Sequence, residues 1–319
     1  MARRDFRQMS LVDQFYNIRP KRCEHLDALF KCIDWAAVQK LLNEIYASSE
    51  GAASYPVLCY VRIMLLQQWY GLSDREAELS IEDSLSFRRF AGIPLEEKVP
   101  DHTRIWAFRQ KLAELGLDKK LFEEINRQIE VQGLIVKKGT LIDATIIKAA
   151  AKAPKGDDGA LSDVDPEAGW TKKNGVSTYG YKGHVGVDEG SGIIRAATFT
   201  GADVHDSVEF KNLVMGDEAA AYADKGYPSE EHRAFLAGKG IVDGIMYKAA
   251  RGKPLKSWQI WFNRAVAPIR AGVERIFARM KVHHGFTRAR YLGLKRNACG
   301  FFLLCTAMNI ARAASLRAA

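Results

Sequence analysis

No two cysteines in this chain are spaced as CxxC, and the five present (Cys23, Cys32, Cys59, Cys299, Cys305) are odd in number and set among apolar neighbours. That excludes a disulfide framework or a thiolate zinc site as the organising feature and leaves core thiols of a reducing compartment. A long apolar run is missing too. The longest uncharged stretch, Asn297 to Ala311, is shorter than the roughly 18 to 20 residues a membrane span needs. The N-terminus MARRDFRQMSLVDQF is basic but has no apolar segment behind it, so no secretory signal is expected and a cytoplasmic protein is. Acid is the remaining scarcity. From Lys256 to the end there are twelve Lys and Arg but one carboxylate, Glu274; this segment carries +11 and residues 1–255 carry −2 of the total of +9. Such a balance favours a polyanionic partner, gripped at the basic end.

What is present suffices for a folded protein, since 47% of the 319 residues are hydrophobic. Up to Gly133 the patterning is helical. DWAAVQKLLNEIYASS and YPVLCYVRIMLLQQWYGL place apolar residues at helical spacing, and Gly71 ends the second run. Ser73 with Glu76, and Ser80 with Asp83, match the Ser-x-x-acid cap and predict two short helices; Asp101 is the expected N-cap of the next. After Gly133 the pattern changes. LIVKKGTLIDATIIKAA reads as a strand, and KAPKGDDGALSDVDPEAGWTKKNG as a mobile loop. YGYKGHVGVD and GIIRAATFTGA read as a hairpin closed by EGS. A helix (DSVEFKNLVMGD), a short strand (AAAYAD), a helix (SEEHRAFLAGKG), a strand (IVDGIMYK) and long helices follow. The expected architecture is mixed α/β: a helical domain over residues 1–133, then a mixed sheet with packed helices over 134–319.

Three acids occupy awkward places. Asp143 sits inside the first strand, Asp224 ends a later one, and Glu274 is alone in the most basic segment. Each by itself reads equally as a structural carboxylate. Together they suggest a site for hard divalent cations, which take oxygen ligands and can work in pairs across a phosphodiester. In RAGVERIFARMK, Arg270 precedes Glu274 by four residues and Lys281 follows it by seven, so all three fall on one helical face. That arrangement is either an ordinary Arg–Glu pair on a solvated helix or a glutamate presented to metal between two phosphate-gripping bases.

The segments LIDATII, YADKGY and IRAGVERIFARMK resemble, in order and interval, the core of bacterial insertion-sequence transposases of the Asp-Asp-Glu class, in particular the insertion sequence five family. The glutamate signature of that family is Tyr, two residues, Arg, three residues, Glu, six residues, Lys. Here Arg270, Glu274 and Lys281 fit it, and Ala267 stands at the tyrosine position. YGYKGHVGVD, VHDS (204–207) and VPDHTRIWAFRQKL extend the likeness over most of the chain from Tyr55.

The resemblance implies a ribonuclease H-like catalytic core, and element ends cut and joined to target DNA by two-metal phosphoryl transfer. It implies Asp143, Asp224 and Glu274 as catalytic residues and as ligands of two Mg2+ ions, with Mn2+ as substitute. Arg270, Lys281, Arg275, Lys182, Lys172 and Lys173 are the candidate DNA contacts, and the helical domain the candidate binder of terminal inverted repeats. His184 and His205 are candidates near the metals, each with an ordinary structural reading beside it. Lys172, Lys173 and Lys182 with Trp170, Tyr179 and Tyr181 read either as a strand-binding surface or as packed aromatics beside solvated bases. A homodimer associated with the nucleoid is the expected assembly. A nuclease that cuts without joining, and a silent DNA-binding regulator, are the rival readings.

Overall fold

The computed structural model describes residues 21–46, 54–154, 162–173 and 175–318; the N-terminal segment read as lacking a signal, and part of the expected loop, lie outside them. The chain divides into two compact units, one formed by residues up to Gln132 together with Phe302–Ala319, the other by Gly133–Phe301.

The first unit is helical. Its helices are α1 (Lys21–Lys31), α2 (Trp35–Leu42), α3 (Val57–Tyr70), α4 (Asp74–Asp83), α5 (Leu85–Ala91), α6 (His102–Glu114) and α7 (Leu117–Val131). Local chemistry sets their ends. Ser73 and Glu76 form a reciprocal capping box on α4, Asp101 accepts from the Arg104 amide at 2.9 Å, and Gly71 closes α3 in the left-handed conformation. The Ser80 cap does not form: α4 continues through Ser80, and Ser84 caps α5 by accepting from the Phe87 amide. Phe30, Trp35, Trp69 and Phe90 form an aromatic core in this unit.

The last helix, α11 (Leu294–Ala318), alters the expected division, because from Phe302 onward it belongs with the helical unit. Phe302 packs on Phe122, the Trp69 indole donates to the Ala307 carbonyl at 2.9 Å, and the buried amides of Asn309 and Asn126 bond at 2.7 Å. By length and composition α11 is apolar enough to cross a membrane, but 67% of its apolar window is buried within the protein, as in a core helix.

The second unit is built on a six-stranded sheet of β1 (Thr140–Lys148), β2 (Gly169–Lys173), β3 (Val176–Asp188), β4 (Ile194–Gly201), β5 (Ala220–Ala223) and β6 (Val242–Ile245). β1 lies at the centre, antiparallel to β3 and parallel to β5; β4 and β2 pair antiparallel with successive parts of β3, and β6 lies parallel outside β5. Around the sheet are the single turn α8 (Phe210–Leu213), α9 (Glu230–Gly238) and α10 (Ser257–His283). Three antiparallel strands followed by two parallel ones interleaved with helices make the ribonuclease H-like arrangement.

Two expectations change. The segment WTKK, read as loop, forms β2, because Trp170 packs on Tyr179 across the pair. DSVEFKNLVMGD yields only a 3-10 turn (Asp206–Glu209) and α8.

Candidate active site

Strand alternation places Asp143 on the same face of β1 as Leu141 and Thr145. Helix α10 lies against that strand, and the close approach needs a glycine: a Cβ on Gly272 would come within 2.6 Å of Leu141 Cδ1. Two residues earlier, Arg270 reaches the strand, and its Nη2 donates to Asp143 Oδ2 at 3.0 Å. Arg270 is buried at 8% exposure; its Nη1 meets the Met246 sulfur and its Nε has no hydrogen-bond partner. Of the two readings of the helix, the Arg270–Glu274 ion pair gives way to this cross-element pair.

Ile142 and Ala223 are the last partners in the parallel β1–β5 ladder, so Asp143, after which β1 runs on beside β3 to Lys148, and Asp224, which follows β5, stand side by side at the carboxyl end of that ladder. Open α/β sheets present functional groups at such ends. The following turn holds Asp224, whose Oδ1 accepts from the Gly226 amide at 2.7 Å. Asp143 Oδ1 likewise accepts from the Ala144 amide at 2.8 Å. Burial pushes the Asp143 carboxyl from 3.8 up to about 6; Arg270, the Ala144 amide and Lys173 pull it down, and the Asp224 charge adds to the rise. Two neighbouring carboxylates, one of them held partly out of water, gather negative charge that a divalent cation would relieve, so the donor set fits one.

Glu274 is placed differently. It is exposed on α10, one turn beyond Arg270. Among the described residues no group of three or more acidic, histidine or cysteine side chains is gathered closely enough to hold a metal ion. The fold therefore brings Asp143 and Asp224 together with Arg270, and leaves Glu274 outside their immediate contacts.

The expected DNA contacts separate into two kinds. Lys172, Lys173, Arg275 and Lys281 are exposed. Partial burial of Lys281 and the charge of Lys173 lower the Lys281 pKa, and the charge of Lys173 also lowers that of Asp143. Lys182 is not available. It is buried, its Nζ donates to the Val204 carbonyl at 2.8 Å, and it pairs with Asp206 at 2.9 Å, so its charge is spent inside the fold. Tyr179 and Tyr181 are also interior, both hydroxyls donating to Asp165, which makes them packing residues instead of a stacking surface.

His184 is fully buried, bonded through Nε2 to Thr200 Oγ1 at 2.9 Å; burial lowers its pKa to about 4 against the opposing charges of Asp206 and Glu209. It stays neutral at pH 7. His205 is exposed and caps the 3-10 turn through Ser207. Ala267 is exposed on α10.

Sequence reasoning gave no role to Asp206 or Tyr227. Tyr227 is 1% exposed, and its hydroxyl pKa is raised well above 10, by burial first and then by the charges of Asp206, Asp143 and Asp224. Both residues stood inside the quoted segments VHDS and YADKGY, but only the packing of the turn and strand ends sets them near the carboxylates.

A ribonuclease H-like sheet that offers two carboxylates where its central parallel ladder ends defines a class of enzymes that process polynucleotides with divalent cations. Comparison with known families makes this specific. Residues 135–310 match the family model described as Transposase DDE domain, and residues 13–111 match that described as Transposase domain (DUF772). The first match alone spans more than half of the chain, and the chain belongs to the DDE transposase family: it is a metal-dependent DNA transposase. No solved structure matches the chain.

Proposed function

We propose that the chain is a transposase of the insertion sequence five type, which cuts the ends of its element and joins the freed 3′ ends to target DNA. Asp143, Asp224 and Glu274 are the proposed ligands of two Mg2+ ions, replaceable by Mn2+. When bound, such a pair of ions supplies an activated water or hydroxyl and stabilises the leaving oxygen of an in-line displacement. The observation that carries the reading is the adjacency of Asp143 and Asp224 at the carboxyl end of the β1–β5 ladder.

The chain's own groups have distinct tasks in this reading. The strand ends and the Ala144 and Gly226 amides hold the two aspartates in fixed directions. Arg270 keeps Asp143 compensated through the bond from its Nη2. Glu274 stands on the turn after Arg270 and joins the pair through its flexible side chain. Arg275, Lys281, Lys172 and Lys173 offer exposed charge to the phosphate backbone. The helical unit is proposed to bind terminal inverted repeats. Two ends must be processed together, which makes a homodimer the working assembly, acting at the nucleoid in the cytoplasm.

End-labelled element DNA incubated with the chain and Mg2+ tests the proposal. Joined products are expected. Nicks without joining identify a nuclease, and a mobility shift indifferent to metal identifies a regulator; either result ends the transposase reading.

A further inference from the structure

The exposed bases so far given to DNA lie on β2 and on the second half of α10. The segment between β6 and α10 carries charge that nothing balances. From Gly244 to Val273 the chain has six Lys or Arg and no acid, and four of these bases, Lys248, Arg251, Lys253 and Lys256, fall within nine residues. All four are exposed, and among the described residues none of them pairs with a carboxylate. Like charges so close repel one another, whereas Gly, Asn, Asp or Ser would form a turn here at no such cost.

The turn is a built one. The Ala250 and Lys253 backbones bond in both directions, at 3.2 and 2.9 Å, across Arg251 and Gly252, and Gly252 takes the left-handed conformation at a φ of 72°. Behind the turn the buried Asn263 of α10 clamps Tyr247: its Oδ1 accepts from the Tyr247 amide at 2.8 Å and its Nδ2 donates to the Tyr247 carbonyl at 2.9 Å. Trp258 and Phe262 pack edge-on against the Tyr247 ring, and the Lys256 amide donates to Gln259 Oε1 at 2.9 Å. Arg251 is therefore held at the tip of a supported turn, with less freedom to lose on binding than it would have on a loose loop.

A polyanion fits such a surface. A second copy of the same surface does not, since it would bring like charges together. The DNA on which this family acts supplies a row of phosphates. Distance along α10 then says which phosphates are in reach. Pro268 lies inside α10 without ending it, and at about 1.5 Å per residue Arg270, bonded to Asp143, stands roughly 20 Å from Lys256 at the helix start. That span corresponds to about six base pairs of duplex at ~3.4 Å each. We infer that the turn 248–256 is a separate grip on duplex DNA, holding backbone phosphates about six base pairs from the bond that is cut. The distance, though not the grip, rests on the proposed role of Asp143 at the cut.

The test measures binding of the full-length chain in chelator to a duplex that carries one element end with its flanking DNA. The duplex is unmodified, or has uncharged methylphosphonates about four to eight base pairs from the cut bond, on the element side or on the flanking side. In the triple variant Lys248→Gln, Arg251→Gln, Lys253→Gln the slope of log affinity against log salt should fall by about 2.7, and affinity by about tenfold or more. One of the two modified duplexes should bind the unaltered chain about fivefold or more weakly than the plain duplex, and in the triple variant this penalty should shrink below about twofold. A slope equal to that of the unaltered chain overturns the inference. So does a lowered slope with both methylphosphonate penalties intact, because the turn then meets phosphates elsewhere. Lys248→Arg with Lys253→Arg should keep both slope and affinity, and a drop there marks a packing role and also overturns it. If Asp143→Asn still cuts the DNA, the six-base-pair placing falls with the reading of Asp143, while the salt slope still decides the grip.

Discussion

Asp143 lies within a central strand, its side chain 19% exposed and one oxygen on Arg270; Glu274 lies on the solvent side of a helix, one turn beyond the same arginine. A strand inside a sheet fixes its side chains through its ladders, so the environment of Asp143, paired with Val185 of β3 and next to the last residue paired with β5, is decided as soon as those ladders form. A helix docked on one face leaves its other face free. Gly272 lets α10 press on Leu141, which delivers Arg270 inward and turns Glu274 outward. Two acids proposed for one reaction therefore differ in what they cost the fold, and the difference can be measured.

The largest effect should come from Asp143→Asn. Strand cleavage is expected to fall by about three orders of magnitude or more, the scale on which a central electrostatic group acts in catalysis, while DNA mobility shifts persist. At pH 7 the same change removes a carboxylate whose ionised form burial disfavours more than Arg270 favours it, and should stabilise the fold by at most ~3 kcal/mol in denaturant titration. Glu274→Gln should suppress cleavage on the order of a hundredfold or more, yet shift stability by less than ~0.5 kcal/mol, as exposed substitutions do. Equal stability of the two variants would erase the contrast between strand and helix.

The pH dependence sharpens it further. The folded-state pKa of Asp143 is raised from 3.8 to about 6, so its stabilising effect is fully present below 3.8 and is lost as pH rises through 6. The metal-free protein should lose melting temperature across that window, by at most about 3 kcal/mol of stability. Asp143→Asn should remove this slope and Glu274→Gln should keep it; a slope unchanged in Asp143→Asn assigns it to other groups.

Lysines give the smallest effects and a parallel contrast. Neutralising Lys173 or Lys281, both exposed, should reduce the slope of log affinity for DNA against log salt by about 0.9 each. Lys182→Met should leave that slope intact and lower stability by ~1–3 kcal/mol, because it removes the bonds that the buried lysine makes to Asp206 and to the Val204 carbonyl. A changed salt slope in Lys182→Met would return that residue to the DNA surface.

Much of the fold is legible in local chemistry. Ser73 and Glu76, Asp101 and Gly71 place helix boundaries because caps satisfy the backbone groups of their own turns. Ser80 shows the limit: a capping pattern repeated along the chain does not say which serine is used, and Ser84 serves because α4 is stable enough to run on to Asp83. β2 was hidden by its composition, since WTKK becomes a strand only through the neighbouring β3 ladder and Tyr179. In the site, the two aspartates stand at recognisable strand positions. Nothing in the spacing of Lys182 separates it from Lys172 or Lys173, because one residue along a strand reverses the side chain between core and solvent.

The sequence by itself determined the helical first region, the change to strands after Gly133, the basic final segment and the candidate acids, all of which follow from periodicity, caps and charge along short stretches of chain. Only the tertiary structure decided that Arg270 goes to Asp143 and not to Glu274, that Lys182 is spent on Asp206, that Tyr227 is buried without a partner, and that the end of α11 joins the helical unit. Those outcomes depend on which groups meet across long stretches of sequence, and burial changes the cost of a charge or a hydroxyl only once the surrounding elements have packed.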